Sequence, residues 1–414
     1  MSVKTADGGK PPVLVIGAGP AGIVTAYFLQ KHGIPYQVID QADTLASTWA
    51  SLYPSLRLNT SRYFSHMPGK KFPRQWGIFP SAKQYHQHLT DFVDDYHLNI
   101  RLGVQIRCVT PENGGYRVES SDGSAWYPAV VLATGRFSNP YTAPLSGLED
   151  FEGIRLHAHD YREVAQLADM RVLVVGNGPS GIDIAMEVGT RNAPDKSALL
   201  AVRTGITLKR RYPLGVSKHG WMLITRALPQ AWRQPLMDWT ERISDYPAAW
   251  LRGIKAPSAG QLGTAIVMRG PELVHAVQKG QVICVDAPAQ IHAHSVTLTD
   301  GSTHEIDALV IATGYRPALG FLQDIHITPD DQGWPKRFNS RPYAIDYTKL
   351  TYHGGYDVGG AIDEHFAPTL REIAGYAGLF QVGLYYKGKG AMYNFNVEAE
   401  IAAVQIKHML HNES

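Results

Sequence analysis

The chain contains 414 residues, and at about 150 residues per domain this length predicts two or three compact units, each with a core of its own. Its 39 basic and 37 acidic side chains leave a net charge of +2, and the densest basic run, residues 209–211, is too short for a nucleic-acid surface, which excludes a nucleic-acid-binding protein. The two cysteines, Cys108 and Cys284, lie too far apart in sequence for a disulfide framework or a CxxC redox or zinc motif, so a reduced, cytoplasmic setting is the expectation.

An almost uncharged stretch near the N-terminus, residues 13–29, is similar to a targeting signal. Glycines and Pro20 interrupt its first half, and no cleavage site fits cleanly after it. We therefore interpret it as a buried strand over residues 13–16, a glycine turn, and a helix over residues 23–31 that Gly33 ends.

A second strand over residues 36–39 completes a βαβ unit with a GxGxxG turn, and Asp40 follows the third glycine by 18 positions. In such a turn the first glycine permits the tight bend, the second lets the backbone approach a pyrophosphate, and the third lets helix and strand pack closely. The acidic residue accepts hydrogen bonds from a ribose hydroxyl. The candidate residues of this first site are Gly17, Gly19, Pro20, Ala21, Gly22, Asp40 and Gln41.

The same construction recurs after residues 171–175, where a GxGxxG turn precedes a helix through about residue 187 and a strand over residues 199–202. This strand ends in a base, Arg203, where the first unit has an acid. A carboxylate favours an unphosphorylated ribose and an arginine favours a 2′-phosphate, so we assign FAD to the first unit and NADPH to the second. The candidate residues of the second site are Gly176, Gly178, Ser180, Gly181, Arg203 and Thr204.

Two apolar runs, residues 129–135 and 308–315, end in the same Ala-Thr-Gly turn, which adds Thr134, Gly135, Thr313 and Gly314 to the cofactor candidates. We interpret both runs as strands of the FAD sheet, with the NADPH unit inserted between them. The predicted fold class is α/β with two Rossmann-like domains. The expected boundaries are 1–160 for the first part of the FAD domain, 161–300 for the NADPH domain, and 301–414 for the return of the FAD domain.

Two segments have less regular patterns. Residues 212–270 read as helices and loops that carry four tryptophans, for which ordinary packing is favoured over a substrate entrance or a membrane contact. Residues 330–371 are rich in Gly, Tyr, His and Pro and have little periodicity, which makes them a candidate lid or pocket wall.

Between the two nucleotide units, residues 151–161 match the pattern FxGxxxHxxxY, with His157 and Tyr161 at its last two specified positions. This pattern resembles the fingerprint of the class B flavin-dependent monooxygenases, in the flavin-containing and N-hydroxylating branch related to the Baeyer-Villiger monooxygenases. The resemblance extends to Thr48-Trp49, residues 58–62 and residues 378–383. Where relatives tend to have two glycines before Thr-Trp, this chain has Ala46 and Ser47.

The resemblance implies roles for single residues. It places Thr48 and Trp49 at the FAD, Asn59 beside the flavin ring, and His157 and Tyr161 at the hinge and the nicotinamide side. A competing interpretation of the HxHxD stretch that begins at His157 is a zinc site, but no further ligands can be placed, and we expect no metal.

The resemblance also implies the reaction. NADPH passes a hydride to FAD, the reduced flavin adds O2, and the resulting C4a-hydroperoxyflavin transfers one oxygen atom to a nucleophilic nitrogen or sulfur of a small organic substrate. Baeyer-Villiger relatives usually end the fingerprint in Trp rather than in Tyr161, which favours oxygenation of a heteroatom. Two alternatives stay open: carbon oxygenation by Baeyer-Villiger insertion or oxidative decarboxylation of an oxo acid, and an NADPH oxidase or redox-sensing flavoprotein. A homodimer without a membrane span is the expected assembly.

Overall fold

The computed structural model describes residues 11–193, 195–257, 266–329, 343–346, 349–352, 371–384 and 390–412. Most of the candidate lid over residues 330–371 lies outside these described residues. The chain forms two compact units. The first unit consists of Met1–Ser51, Arg57–Asn139 and Arg316–Ser414, and the second consists of Leu52–Leu56 and Pro140–Tyr315.

The N-terminal part of the first unit alternates strands and helices and then forms a meander. Its elements are β1 (Val13–Ile16), α1 (Pro20–Lys31), β2 (Tyr36–Ile39), α2 (Ser47–Ala50), α3 (Arg62–Ser65), α4 (Ala82–Tyr96), β3 (Ile100–Arg101), β4 (Ile106–Glu112), β5 (Gly115–Ser120), β6 (Gly123–Tyr127) and β7 (Val130–Leu132).

The second unit contains the second glycine turn, and two of its strands come before that turn. Its elements are β8 (Ile154–His157), β9 (Val172–Val175), α5 (Pro179–Arg191), β10 (Ala198–Ala201), β11 (Ile206–Lys209), α6 (Lys218–Thr225), α7 (Gln230–Ile243), β12 (Ile266–Arg269), α8 (Glu272–Gln278), β13 (Val282–Val285), β14 (Pro288–Ile291), β15 (Ser295–Leu298), β16 (Thr303–Glu305) and β17 (Ala308–Ile311). The chain then returns to the first unit with β18 (Leu379–Gln381) and α9 (Ala391–Asn412).

The main sheet of the first unit is parallel, with strand order β18-β7-β1-β2-β3. Its central strands β1 and β7 are apolar and fully buried, as expected for a parallel sheet covered on both faces. Helices α1 and α9 supply residues to the same core, including Ile23 and Ala402. Helix α4 begins with a capping box, in which Ser81 accepts from the Gln84 backbone N–H and the Gln84 side chain accepts from the Ser81 N–H.

The second unit repeats this plan in a parallel sheet of order β13-β10-β9-β17-β8. An antiparallel meander accompanies each parallel sheet, formed by β4, β5 and β6 in the first unit and by β14, β15 and β16 in the second. Within the described residues, no helix combines the length and apolar composition needed to cross a membrane.

The prediction that residues 308–315 return to the FAD sheet is wrong. Strand β17 pairs with β9 and β8 in the second unit, and the strand that returns to the first sheet is β18, which pairs with β7. Because β8 and β17 both belong to the second sheet, the units divide after residues 139 and 315, whereas the sequence predicted boundaries at 160 and 300.

Candidate functional site

A cavity of about 670 Å³ lies in the first unit at the carboxyl ends of β1 and β2. This is the edge of a parallel sheet at which doubly wound folds bind ligands. Ten of the predicted cofactor residues line it: Gly17, Gly19, Pro20, Ala21, Asp40, Gln41, Thr48, Trp49, Thr134 and Gly135.

The three glycines of the first turn differ in what surrounds them. A Cβ added at Gly19 would meet no protein atom within 4 Å, which leaves room for a ligand to approach the backbone. A Cβ at Gly22 would lie 1.8 Å from the carbonyl oxygen of Gly17, so Gly22 serves the packing of α1 on β1 and does not line the cavity. Gly17 has φ +110°, in the region that favours glycine. The bend at Gly17 and the close packing at Gly22 are as the sequence predicted, and the approach of a pyrophosphate at Gly19 stays a prediction.

Asp40 is held in place by the main chain. One carboxylate oxygen accepts from the N–H of Ala18 at 2.6 Å, and the other accepts from the N–H of Ala42 at 2.9 Å. Each oxygen keeps further lone pairs for hydroxyl donors, and the residue lines the cavity. This geometry suits a diol such as a ribose.

Ala46 adopts a conformation that is usual for glycine. Its φ of 48° and ψ of 46° are left-handed, and its N–H donates to the carbonyl of Ala18 at 3.1 Å. A left-handed alanine costs about 1–2 kcal/mol. The departure from the family's glycines before Thr48 therefore changes the side chain while keeping a glycine-like backbone at a residue that lines the cavity.

The cavity also extends to residues that the sequence analysis did not identify. The start of α9 contributes Met392, whose sulfur accepts from the Tyr85 hydroxyl at 2.9 Å, and Tyr85 in turn packs edge-on against Trp49. Arg136 follows the Ala-Thr-Gly turn directly and donates to the Leu384 carbonyl at 3.0 Å. Its position next to that turn could have predicted Arg136 as a lining residue. Further lining residues missed from the sequence are Gln105, Arg107, Phe137, Ser138, Asn139, Phe321 and Phe395.

The second unit carries a glycine turn with nearly the same geometry as the first. Gly176 has φ +118°, and a Cβ at Gly181 would lie 2.0 Å from the Gly176 carbonyl oxygen. The intervening Asn177 is 6% exposed, and its amide donates to the Gly205 carbonyl at 2.9 Å. Asn177, which is not among the residues predicted for the second site, thus fixes the turn that follows Arg203.

Arg203 lies just after β10 and its side chain is exposed. Nearby bases have other contacts. The Lys209 ammonium contacts Asp245 at 2.6 Å and donates to the Glu241 carbonyl at 3.1 Å, and the Arg210 guanidinium lies 5.8 Å from the Tyr246 ring centroid. Arg203 is thus exposed two residues after β10, Lys209 is partly buried by its contacts, and Arg210 is also exposed.

Thr313 and Gly314 end β17, so they lie in the second unit instead of the FAD sheet. The Thr313 hydroxyl donates to the Tyr141 carbonyl at 2.6 Å and accepts from the Ala143 N–H at 3.1 Å. Because β17 is the neighbour of β9, these residues lie at the same sheet edge as the second glycine turn. Their prediction as FAD-sheet residues is wrong, and their place favours the second nucleotide.

Asn59 has an exposed side chain and is not among the residues that line the cavity. The next residue, Thr60, lies close to the start of α9, since a Cβ added at Gly390 would come within 2.4 Å of the Thr60 hydroxyl oxygen. The flavin-side role of Asn59 stays a prediction.

His157 and Tyr161 lie in the second unit. The Nδ1 atom of His157 accepts from the His159 N–H at 3.0 Å, and burial lowers the pKa of this imidazole. Tyr161 is 1% exposed, and burial together with the charge of Glu187 raises its pKa. A tyrosine so deeply buried fits a packing role better than contact with a substrate. Within the described part of the chain, no group of three or more His, Cys, Asp or Glu side chains could hold a metal ion.

Comparisons with known proteins find similarity to flavin and pyridine-nucleotide enzymes. The model of the family described as pyridine nucleotide-disulphide oxidoreductase matches residues 14–194. The probable indole-3-pyruvate monooxygenase YUCCA1 of Arabidopsis thaliana is 28% identical over 335 residues, which cover 78% of this chain and 80% of that protein.

Two solved structures share the fold along almost the whole chain. A double mutant of a flavin monooxygenase from Stenotrophomonas maltophilia has a TM-score of 0.70 at 23% identity and covers 97% of this chain and 99% of that one. An open crystal structure of cyclohexanone monooxygenase has a TM-score of 0.67 at 17% identity and covers 97% of this chain and 88% of that one. The two-unit α/β architecture predicted from the sequence is thereby confirmed.

Proposed function

We propose that the chain is a class B flavin-dependent monooxygenase that uses FAD and NADPH and transfers one oxygen atom of O2 to a nucleophilic nitrogen or sulfur of a small organic substrate. The observation that carries this proposal is the pair of glycine turns with different partners. The first turn opens on a cavity with a fixed carboxylate, Asp40, and the second precedes an exposed base, Arg203.

The residues of the first unit fit FAD. The open space at Gly19 and the start of α1 suit a pyrophosphate, because free backbone N–H groups at a helix N-terminus bind anions. Asp40 suits the ribose of the adenosine. Trp49, Met392 and Phe395 also line the cavity and provide an apolar wall, and α9 begins at this wall with its positive end. The bound FAD would supply the redox and oxygen chemistry, and these apolar residues would exclude water from it.

The residues of the second unit fit NADPH. The turn from Gly176 to Gly181 precedes α5, and Arg203 at the end of β10 can bind a 2′-phosphate by charge-assisted hydrogen bonds. Thr204 and Thr313 lie at the same sheet edge. With this set of residues the second unit would hold the reductant.

Oxygenation of nitrogen or sulfur is favoured by Tyr161 at the end of the fingerprint, where Baeyer-Villiger relatives usually have Trp. A second candidate function is oxygenation of carbon with decarboxylation of a 2-oxo acid. The similarity to a protein named as a probable indole-3-pyruvate monooxygenase supports that candidate.

The mass of the product separates the two candidates. The FAD-loaded enzyme is incubated with NADPH and ¹⁸O2 and with four probes in turn: a tertiary amine, a thioether, a cyclic ketone and indole-3-pyruvate. The proposal expects a labelled N-oxide or S-oxide and unchanged ketone and oxo acid. Labelled indole-3-acetate together with loss of CO2 would instead establish the second candidate. NADPH consumption that yields only H2O2 with every probe would contradict both.

A further inference from the structure

A five-residue piece of chain belongs to the second unit, although the chain on both sides of it belongs to the first. We name this piece, Leu52–Leu56, the inserted loop. Trp49 and Leu58 pack on the core of the first unit, whereas Tyr53 and Leu56 pack in the core of the second. The second unit therefore holds a loop that begins three residues after a residue of the FAD cavity.

Two side chains of the inserted loop hydrogen-bond to one face of α5. The Tyr53 hydroxyl donates to the Asp183 carboxylate with an oxygen–oxygen distance of 3.2 Å, and the Ser55 hydroxyl donates to the Glu187 carboxylate at 2.9 Å. Asp183 and Glu187 are four residues apart, so they lie one turn from each other on the same face. The ring of Tyr53 also meets the ring of Tyr161 edge-on, with 5.6 Å between centroids.

Burial makes Tyr53 and Asp183 depend on each other. Tyr53 is 2% exposed, and burial raises the pKa of the Asp183 carboxyl to about 6 while the Tyr53 hydrogen bond opposes that rise. Removing the Asp183 acceptor would leave the buried Tyr53 hydroxyl without its bond, which costs more than a typical exposed hydrogen bond contributes, whereas Asp183 is only partly buried. The contact is thus a specific attachment of the inserted loop to α5.

The attachment point lies close to the second glycine turn. Asp183 follows Gly181, the third glycine of that turn, by two residues and lies within the first turns of α5. Helix α5 is the element whose N-terminus would receive the pyrophosphate of NADPH. On the other side of the inserted loop, Thr48 and Trp49 line the cavity for FAD. The inserted loop that α5 holds is therefore only three residues away in the chain from a residue that lines the cavity for FAD.

We infer that the inserted loop couples the NADPH-binding helix to the FAD cavity, with Tyr53 and Asp183 as positioning residues for hydride transfer. This inference rests on the proposed function. In the transfer, NADPH would give up a hydride, which is two electrons and one proton, and become NADP⁺, and FAD would accept that hydride. Tyr53 and Asp183 exchange no proton or electron in this step, and they act only by holding the inserted loop on α5.

The test is anaerobic stopped-flow reduction of the FAD-loaded enzyme by saturating NADPH, in wild type and in three variants. Tyr53→Phe removes the hydroxyl and keeps the ring. Asp183→Asn keeps an oxygen acceptor for Tyr53. Tyr116→Phe is the matched control, because Tyr116 is also 2% exposed and its hydroxyl donates to the Ala377 carbonyl at 2.7 Å in the first unit, outside the cavity lining.

We expect Tyr53→Phe to bind FAD and NADP⁺ normally but to reduce FAD about five- to tenfold more slowly, the effect of one hydrogen bond lost from positioning. Asp183→Asn and Tyr116→Phe should stay within about twofold of wild type, since the first retains the Tyr53 bond and the second lies away from the coupling. As a readout apart from turnover, NADP⁺ should perturb the visible spectrum of bound FAD less in Tyr53→Phe than in wild type.

The outcomes separate the inference from the function on which it rests. If NADPH does not reduce the wild-type flavin, the proposed function fails. If wild type is reduced and Tyr53→Phe is equally fast, or if Tyr53→Phe and Tyr116→Phe are slowed alike, the coupling inference is overturned. If Tyr53→Phe does not fold, Ser55→Ala replaces it, with an expected slowing of about two- to threefold, and a wild-type rate for Ser55→Ala would then refute the coupling.

Discussion

Replacing Gly22 with alanine tests the packing role of the first glycine turn. The new Cβ would lie 1.8 Å from the Gly17 carbonyl oxygen and 2.9 Å from the Gly17 carbonyl carbon. The obstacle is backbone, so α1 and β1 must separate by more than an ångström, and we expect the upper end of the overpacking cost, about 3 kcal/mol. At about 2–4 °C per kcal/mol for a unit of this size, the melting temperature of the FAD-free protein should fall by about 6–12 °C.

Gly19→Ala is the matched control in the same turn. Gly19 has φ −79° and ψ −176°, which alanine adopts freely, and its Cβ would meet no protein atom within 4 Å. The FAD-free variant should therefore melt like wild type, while its affinity for FAD falls because the methyl group occupies the space of the pyrophosphate. Melting is followed by circular dichroism and FAD affinity by the quenching of flavin fluorescence. An unchanged melting temperature for Gly22→Ala, or normal FAD affinity for Gly19→Ala, would refute these roles.

Three further predictions concern other residues. Arg203→Ala should raise the KM for NADPH about 10- to 100-fold and leave the KM for NADH almost unchanged, measured by steady-state NAD(P)H oxidation, and an equal change for both would sink the assignment. Burial raises the pKa of Glu398 to about 7 from its usual 4.5. The folded state therefore holds this proton more tightly than the unfolded state does, so the free energy of unfolding should fall as pH rises from 4.5 to 7. Glu398→Gln should flatten this part of the dependence of the free energy of unfolding on pH, measured by chemical denaturation, and an unchanged slope would contradict the shift. Asn59→Ala should retain FAD but release more H2O2 per NADPH, and unchanged coupling would remove Asn59 from the site.

Local sequence was sufficient for the elements whose pattern is local. The apolar run of β1 and the strand before Asp40 have the predicted bounds, and both glycine turns have the predicted geometry. The assignment of β17 failed because the Ala-Thr-Gly turn occurs at the ends of both β7 and β17, and one strand's sequence does not specify which parallel sheet it joins. Parallel pairing is decided by tertiary contacts far away in sequence.

The residues of the candidate site also differ in whether local sequence predicts them. Residues within the nucleotide motifs, such as Asp40 and Thr134, line the cavity as expected. Met392 and Phe395 could not be predicted as lining residues, because a helix more than 250 residues after β7 brings them there. The attachment of Tyr53 to Asp183 was equally hidden, since a hydrogen bond between residues 130 positions apart leaves no local pattern.

The central claim is that the chain is an NADPH-dependent flavoprotein monooxygenase, and rapid-mixing absorbance of the FAD-loaded enzyme tests it most directly. The enzyme is reduced anaerobically with NADPH and then mixed with O2 without substrate. We expect an absorbing species distinct from both oxidised and reduced FAD that persists while NADP⁺ is bound. Immediate return to the oxidised spectrum with one H2O2 per NADPH, both without substrate and with every amine, thioether, ketone and oxo-acid probe, would contradict it.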